Sequence, residues 1–202
     1  IKELKQFSKD KILQINFGID RIKKLFKYNK KNFKIIFIGN IKYAPNRKAC
    51  IDFIKYIFPI VKNKYPNIEF HIFGEIYFFD RIFFINKKGV KIYGNIKNLD
   101  RYLTDVICGL ANLNISTGVQ TKLLTYMSYG IPSICSKKVY ENFDGIKSTK
   151  LDYYKTKKDL INLIIKFKEN KDYSNQISLR SLRTIKSFKW AKVLQTFNRA
   201  FY

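Results

Sequence analysis

Phe33-Lys-Ile-Ile-Phe-Ile-Gly39-Asn40-Ile-Lys-Tyr-Ala-Pro45-Asn46 reads as a strand, a loop and the start of a helix. Residues 33–38 are a continuous apolar and β-branched run closed by Gly39-Asn40, which suits a strand buried on both faces of a parallel sheet. Pro45-Asn46 then opens a helix. Cys50, Phe53, Ile54, Ile57 and Val61 recur along it at helical spacing, so one face is buried. The same alternation continues outward. Residues 68–73 form a strand ended by Gly74, and residues 90–93 one ended by Gly94. Leu99, Tyr102, Leu103 and Val106 predict a helix over 98–106, and residues 113–115 a short strand. Strands alternating with helices at this spacing imply βαβ units, and a doubly wound, Rossmann-like parallel sheet is the leading α/β fold. Ligands of such sheets bind outside the carboxyl ends of the strands.

Toward the C-terminus, Ser116-Thr-Gly-Val-Gln-Thr-Lys-Leu-Leu-Thr-Tyr-Met-Ser-Tyr-Gly-Ile-Pro-Ser-Ile-Cys-Ser136 places a small-residue loop before a helix at 121–129, with Gly130 as its C′ residue and a strand at 131–135. A loop of this kind presents free backbone N–H groups and Lys122 at a helix N-terminus, where a diphosphate can sit. Thr156-x-x-Asp159 is a capping box before a helix with the stripe Leu160, Leu163, Ile164 and Phe167. A helical tail over 173–202 carries the single tryptophan, Trp190, expected in the core. Toward the N-terminus, residues 11–15 read as a strand, 16–20 as a turn, and 21–32 as an exposed, Lys-rich connection.

Composition narrows the function classes. The chain has 202 residues, enough for one good core, and 46% hydrophobic content argues for a folded protein. No stretch reaches the roughly 18 uninterrupted apolar residues of a membrane span. Cys50, Cys108 and Cys135 are widely spaced and His71 is the only histidine, so a Cys/His metal site lacks ligands and the cysteines read as buried reduced thiols. The net charge of +25 invites a polyanion. Its distribution argues against nucleic acid: basic residues are scattered, and the excess is Lys rather than the Arg favoured for base and phosphate recognition. Diffuse Lys suits a solvated surface, or an anionic membrane surface. Residues 76–85 concentrate aromatics around Asp80-Arg81; buried packing is the default reading and a membrane-docking surface the alternative.

In this order the blocks resemble the C-terminal, donor-binding domain of family-4-type retaining GT-B glycosyltransferases. Phe37-Ile38-Gly39-Asn40 with Tyr43-x-Pro45-Asn46 is similar to that family's first strand-loop-helix. Phe58-Pro59, Tyr65-Pro66 and residues 70–74 are similar to the second unit, and residues 90–99 to the third. Gly118 to Pro132 resembles the donor-binding helix, Asn16 to Asp20 the interdomain hinge, and Phe188-Lys-Trp190 the C-terminal helix signature. The resemblance implies a hinge and remnant of a missing N-terminal domain over 1–20, and a nucleotide-sugar-binding domain over 21–202. It also implies transfer of a sugar from a nucleotide-diphosphate donor to a glycan or lipid-linked acceptor in surface polysaccharide synthesis. The acceptor half lies outside this chain, so the fragment alone is inactive. The protein would be cytoplasmic, or peripheral at the inner face of the membrane.

The resemblance places the donor against Gly39, Asn40, Asn46, Gly74, Gly94, Thr117, Gly118, Val119, Gln120, Thr121, Lys122 and Thr125. Lys122 and the helix N–H groups would face the diphosphate, and Gly74 and Gly94 would border the base. The donor is a substrate and no cofactor is expected. No Asp-x-Asp pair occurs, which fits a metal-independent reaction. The family often carries two carboxylates at the positions of Thr117 and Thr125, the second bonding the ribose hydroxyls; Thr offers a poorer acceptor there. Asn46 also reads as a plain helix N-cap, Glu75 as a ligand contact or a surface carboxylate, Asp100 and Asp105 as solvated helix residues, and His71 as a core residue. A degenerate, non-catalytic domain and a basic nucleic-acid-binding module stay open as other functions.

Overall fold

Three of the apolar runs that end in glycine become strands of one sheet. Lys34–Ile38 (β1) stops at Gly39, Glu69–Phe73 (β2) at Gly74, and Val90–Tyr93 (β3) at Gly94. Val106–Ala111 (β4), Ser133–Ser136 (β5) and Asp152–Tyr154 (β6) complete it. The structure, a computed structural model, describes residues 18–115, 120–143 and 151–201. Every neighbouring pair runs parallel, in the order β3-β2-β1-β4-β5-β6. The winding therefore reverses between β1 and β4, the place where α/β sheets of this kind open a crevice.

Helices flank the sheet: Ala44–Tyr56 (α1), Phe58–Lys64 (α2), Phe78–Ile85 (α3), Thr121–Ser128 (α4), Lys137–Glu141 (α5), Lys157–Glu169 (α6), Lys171–Thr184 (α7) and Trp190–Phe201 (α8), with a 3-10 turn at Ile185–Phe188. Local chemistry sets their ends. Pro45 sits in the first turn of α1, where its missing N–H is no loss. Thr156 and Asp159 form the expected capping box on α6. Gly130 follows α4 at φ 70°, the left-handed C′ conformation that glycine adopts without strain. The core gathers Ile35, Ile36 and Phe37 of β1, Phe53 of α1 and Phe70 of β2; the Phe53 and Phe70 rings lie 4.6 Å apart.

The structure corrects several expectations. Residues 98–105 form turns, not a helix, and Val106 begins β4. All six β4 residues are buried in the middle of the sheet, and that burial outweighs a short helical period that could never repay its nucleation. No strand forms at 113–115. Asp105 takes φ 57° in a turn, and Asp100 pairs with Lys23 at 2.6 Å and accepts from the Tyr129 hydroxyl at 2.6 Å, so neither is a solvated helix residue. Residues 78–85 are a helix with most of its rings outside rather than buried packing. Trp190 is 37% exposed rather than a core residue, with its ring against Gly18, where a Cβ would stand 2.3 Å from it. The predicted strand at 11–15 lies outside the described residues.

The start of the described chain meets the turn that precedes α8. Ile19 bridges Lys189 in parallel, its N–H donating to the Phe188 carbonyl at 2.7 Å. The segments read as hinge and C-terminal signature are thus neighbours. Buried, unpaired Cys50, Cys108 and Cys135 agree with the thiol reading.

Candidate functional site

Backbone bonds tie the loops beyond β1, β2 and β3 into one rim. Gly39 N–H donates to the Phe73 carbonyl at 2.8 Å, Ile41 N–H to Glu75 at 2.7 Å, and Gly74 N–H reaches the Tyr93 and Gly94 carbonyls at 3.2 Å. Gly74 sits at φ 144°, and a Cβ there would stand 2.0 Å from the Gly39 carbonyl oxygen, so only glycine lets these strand ends approach. Within the β1 loop the Asn40 side chain accepts from Lys42 N–H at 2.9 Å, an Asx turn. Glu75 is exposed and pairs with Lys42 at 3.2 Å.

Across the β1/β4 reversal, α4 points its N-terminus at this rim. Gln120 is the N-cap and Lys122 the second helical residue. Lys122 is 7% exposed. Its Nζ donates to Asn46 Oδ1 at 3.1 Å and Gln120 Oε1 at 3.3 Å, and lies 5.1 Å from the centre of the Phe37 ring. Asn46 turns its other atom to the loop, Nδ2 donating to the Asn40 carbonyl at 2.8 Å. Asn46 is the third residue of α1, and Tyr43 is the N-cap; the N-cap reading gives way to a bridging role. Among the described residues no carboxylate pairs with Lys122, and the first turn of α4 holds no acid. Burial pulls the Lys122 ammonium from its ordinary 10.5 to about 8. A cation at the positive end of a helix, out of water and without a counter-charge, is an arrangement an anion stabilises.

One turn on, Thr125 is half-buried and donates its hydroxyl to the Thr121 carbonyl at 3.1 Å. Thr117, Gly118 and Val119 lie outside the described residues. The structure thus brings together Gly39, Asn40, Asn46, Gln120, Thr121, Lys122 and Thr125, with Gly74 and Gly94 further along the same rim.

The reading of the sequence missed Tyr126. Its buried hydroxyl accepts from Ile38 N–H at 2.9 Å and donates to the Leu110 carbonyl at 3.1 Å. The direct β1–β4 register ends at Ile36 and Gly109, so one side chain carries the link past the point where the strands part. Gly109 was the available signal: a Cβ there would lie 2.6 Å from the Tyr126 ring, and a glycine inside a strand often marks such an approach. His71 is buried, with Nε2 held by Glu69 at 2.8 Å, and desolvation lowers its pKa; it is a core residue. Among the described residues no three His, Cys, Asp or Glu side chains gather where they could hold a metal ion.

The sequence model of the Glycosyl transferases group 1 family matches residues 32–163, more than half of the chain. The chain belongs to this family. No curated protein matches it in sequence. Among solved structures, TarM of S. aureus superposes with a TM-score of 0.77 at 16% identity, over 99% of this chain and 41% of TarM. The C-terminal domain of LpcC, a group 1 glycosyltransferase of Francisella tularensis, superposes at 0.63 with 13% identity, over 86% of this chain and 100% of that domain. Anabaena HepE, solved with UDP-glucose, gives 0.66 at 11% identity, over 84% of this chain and 48% of HepE. This group 1 chain therefore has the fold of GT-B C-terminal domains and spans about two fifths of the length of TarM.

Proposed function

We propose that this chain is the donor-binding half of a glycosyltransferase, taking a nucleotide-diphosphate sugar as substrate and needing no cofactor. One observation carries the reading: buried Lys122 at the head of α4, gripped by Asn46 and Gln120 with no carboxylate among the described residues. The diphosphate would lie against Lys122 and the first N–H groups of α4, the ribose near Thr125, and the base along Gly74 and Gly94. As the bond between sugar and phosphate breaks, negative charge grows on the departing diphosphate. A fixed ammonium and helix N–H groups stabilise that charge more in the transition state than in the ground state. The acceptor, a glycan or a lipid-linked glycan of surface polysaccharide synthesis, would be held by a second domain, and the reaction would take place in the cytoplasm. This chain alone binds donor and does not turn it over.

UDP is the first nucleotide to test, since HepE and GtfA, which share the fold, were solved with it. Titration of the purified chain with UDP, GDP and ADP is expected to show saturable binding of one of them, weakened at least ~10-fold by Lys122→Ala. Equal binding by the variant would remove the diphosphate from Lys122. Thr125 favours a second reading, a non-catalytic domain of the same fold, because its hydroxyl, which donates to the Thr121 carbonyl, leaves the ribose a single neutral acceptor oxygen where a carboxylate offers two. That reading predicts a folded protein that binds none of the three.

A further inference from the structure

Helix α3 turns its apolar side chains outward. Phe79 is 82% exposed and Phe78 71%, with Tyr77, Ile82, Phe83 and Ile85 exposed beside them, while Phe84 alone packs into the core. So many rings in about two turns of helix exceed the scatter of single apolar residues normal on a protein surface. The charges around them leave a positive excess, since the neighbouring acid Glu75 is offset by Lys42 at 3.2 Å. The single acid of the helix, Asp80, is held by Arg47 at 3.3 Å. Among the described residues Arg81, Lys87 and Lys88 make no ion pair; Lys87 lies 5.0 Å from the centre of the Phe83 ring and Lys42 5.7 Å from that of Tyr77. The result is an aromatic centre with a cationic border.

Three occupants could cover it. A second copy would bring +25 against +25. A protein partner would meet a border rich in Lys, a residue depleted at protein interfaces. An anionic bilayer matches both parts, taking the rings at the boundary of headgroups and acyl chains and the ammonium groups at the lipid phosphates. The patch also adjoins the strand-end rim: Glu75, two residues before Tyr77, accepts from Ile41 N–H at 2.7 Å and pairs with Lys42.

We propose that α3 and its basic flanks dock the protein on an anionic membrane surface, with Phe78 and Phe79 as the inserted rings. This places the rim of the strand ends beside the bilayer, where an acceptor borne on a lipid would be presented; that last step rests on the donor-site reading, and the docking does not.

The test is co-sedimentation of the purified chain with vesicles of phosphatidylcholine alone, and with about one third phosphatidylglycerol, near physiological salt. The chain is expected to sediment with the anionic vesicles only. Phe78→Ser with Phe79→Ser is expected to lower that partition at least ~10-fold. Both rings are outside the core, so the fold should persist, checked by circular dichroism. Lys158→Gln with Lys171→Gln, which removes two charges elsewhere, should change partition less than ~2-fold. Docking is overturned if wild type ignores anionic vesicles, or if the double-serine variant sediments like wild type, which would leave diffuse charge as the cause. It is also overturned if the serine changes abolish a dimer formed without lipid, which would give the face to a second copy. UDP titration of the same variants separates this outcome from any failure of the donor site, because vesicle binding does not depend on nucleotide.

Discussion

Lys122 keeps its charge where burial opposes it, and removing that charge separates stability from binding. Without ligand the ammonium is desolvated and sits at the positive end of α4. Lys122→Met replaces it with an apolar chain of similar length, and should stabilise the unliganded protein by roughly 1–3 kcal/mol at neutral pH. The same change should weaken nucleotide binding at least ~10-fold, so thermal melting would rise while UDP affinity drops. A fall in melting temperature would mean that the bonds to Asn46 and Gln120 outweigh desolvation. The pH dependence follows from the same shift. The folded value, about 8, is below the unfolded 10.5, so the unfolded chain binds more protons between them. Unliganded stability therefore rises with pH across that window, and the penalty is fully present below it. Nucleotide affinity moves the other way, falling as pH rises through about 8 because the anion needs the ammonium. Titrations at successive pH values should show that fall in wild type and none in Lys122→Met. At Thr125 a carboxylate is the informative change. Thr125→Glu offers two acceptor oxygens to the ribose hydroxyls, and is expected to tighten UDP about 3–10-fold; unchanged affinity would place the ribose elsewhere.

Between elements, one hydroxyl extends the link from β1 to β4 beyond their direct pairing, which ends at Ile36 and Gly109. Tyr126→Phe keeps the ring but leaves Ile38 N–H and the Leu110 carbonyl without it, and should cost about 1–3 kcal/mol. Gly109→Ala presses a methyl on the same ring and should cost about as much through overpacking. Urea unfolding should show both as lower midpoints with an unchanged slope. Tyr126→Phe should also loosen the crevice and weaken UDP binding, since Lys122 lies one turn away on the same helix. How far the elements were legible follows from similar local physics. β1, β2 and β3 could be read because each is an apolar run cut by glycine, and α6 because its cap lies in four consecutive residues. β4 could not: Cys108-Gly109 interrupts its pattern, and it is a strand because β1 and β5 pair with it on either side and bury it in mid-sheet. β6 is three residues long and depends on its neighbour β5. Lys122 and Asn46 were found from their place in motifs, but their bond spans 76 positions of chain and is visible only in three dimensions. The aromatics of α3 stood out in the sequence, but an apolar run reads by default as buried, and only the alternative reading, a docking surface, turned them outward.

For the whole molecule, the question is what the charge of +25 does. Spread over the surface, it attracts any polyanion, and such binding releases counterions and collapses with salt. A nucleotide in the crevice meets one buried lysine and a set of N–H groups, which salt screens far less. The two kinds of binding can therefore be told apart in one protein by changing only ionic strength. Between about 50 and 200 mM salt, affinity for a duplex DNA of arbitrary sequence should fall at least ~100-fold, while affinity for UDP falls less than ~5-fold. Fluorescence anisotropy with labelled DNA, and calorimetry with UDP in the same buffers, would measure both. If UDP binding falls in parallel with DNA, the nucleotide is held by surface lysines and the crevice is not its site. If DNA binding survives the higher salt, a specific nucleic-acid surface exists, and the scattered Lys would have to form a contiguous path that the sequence pattern does not show.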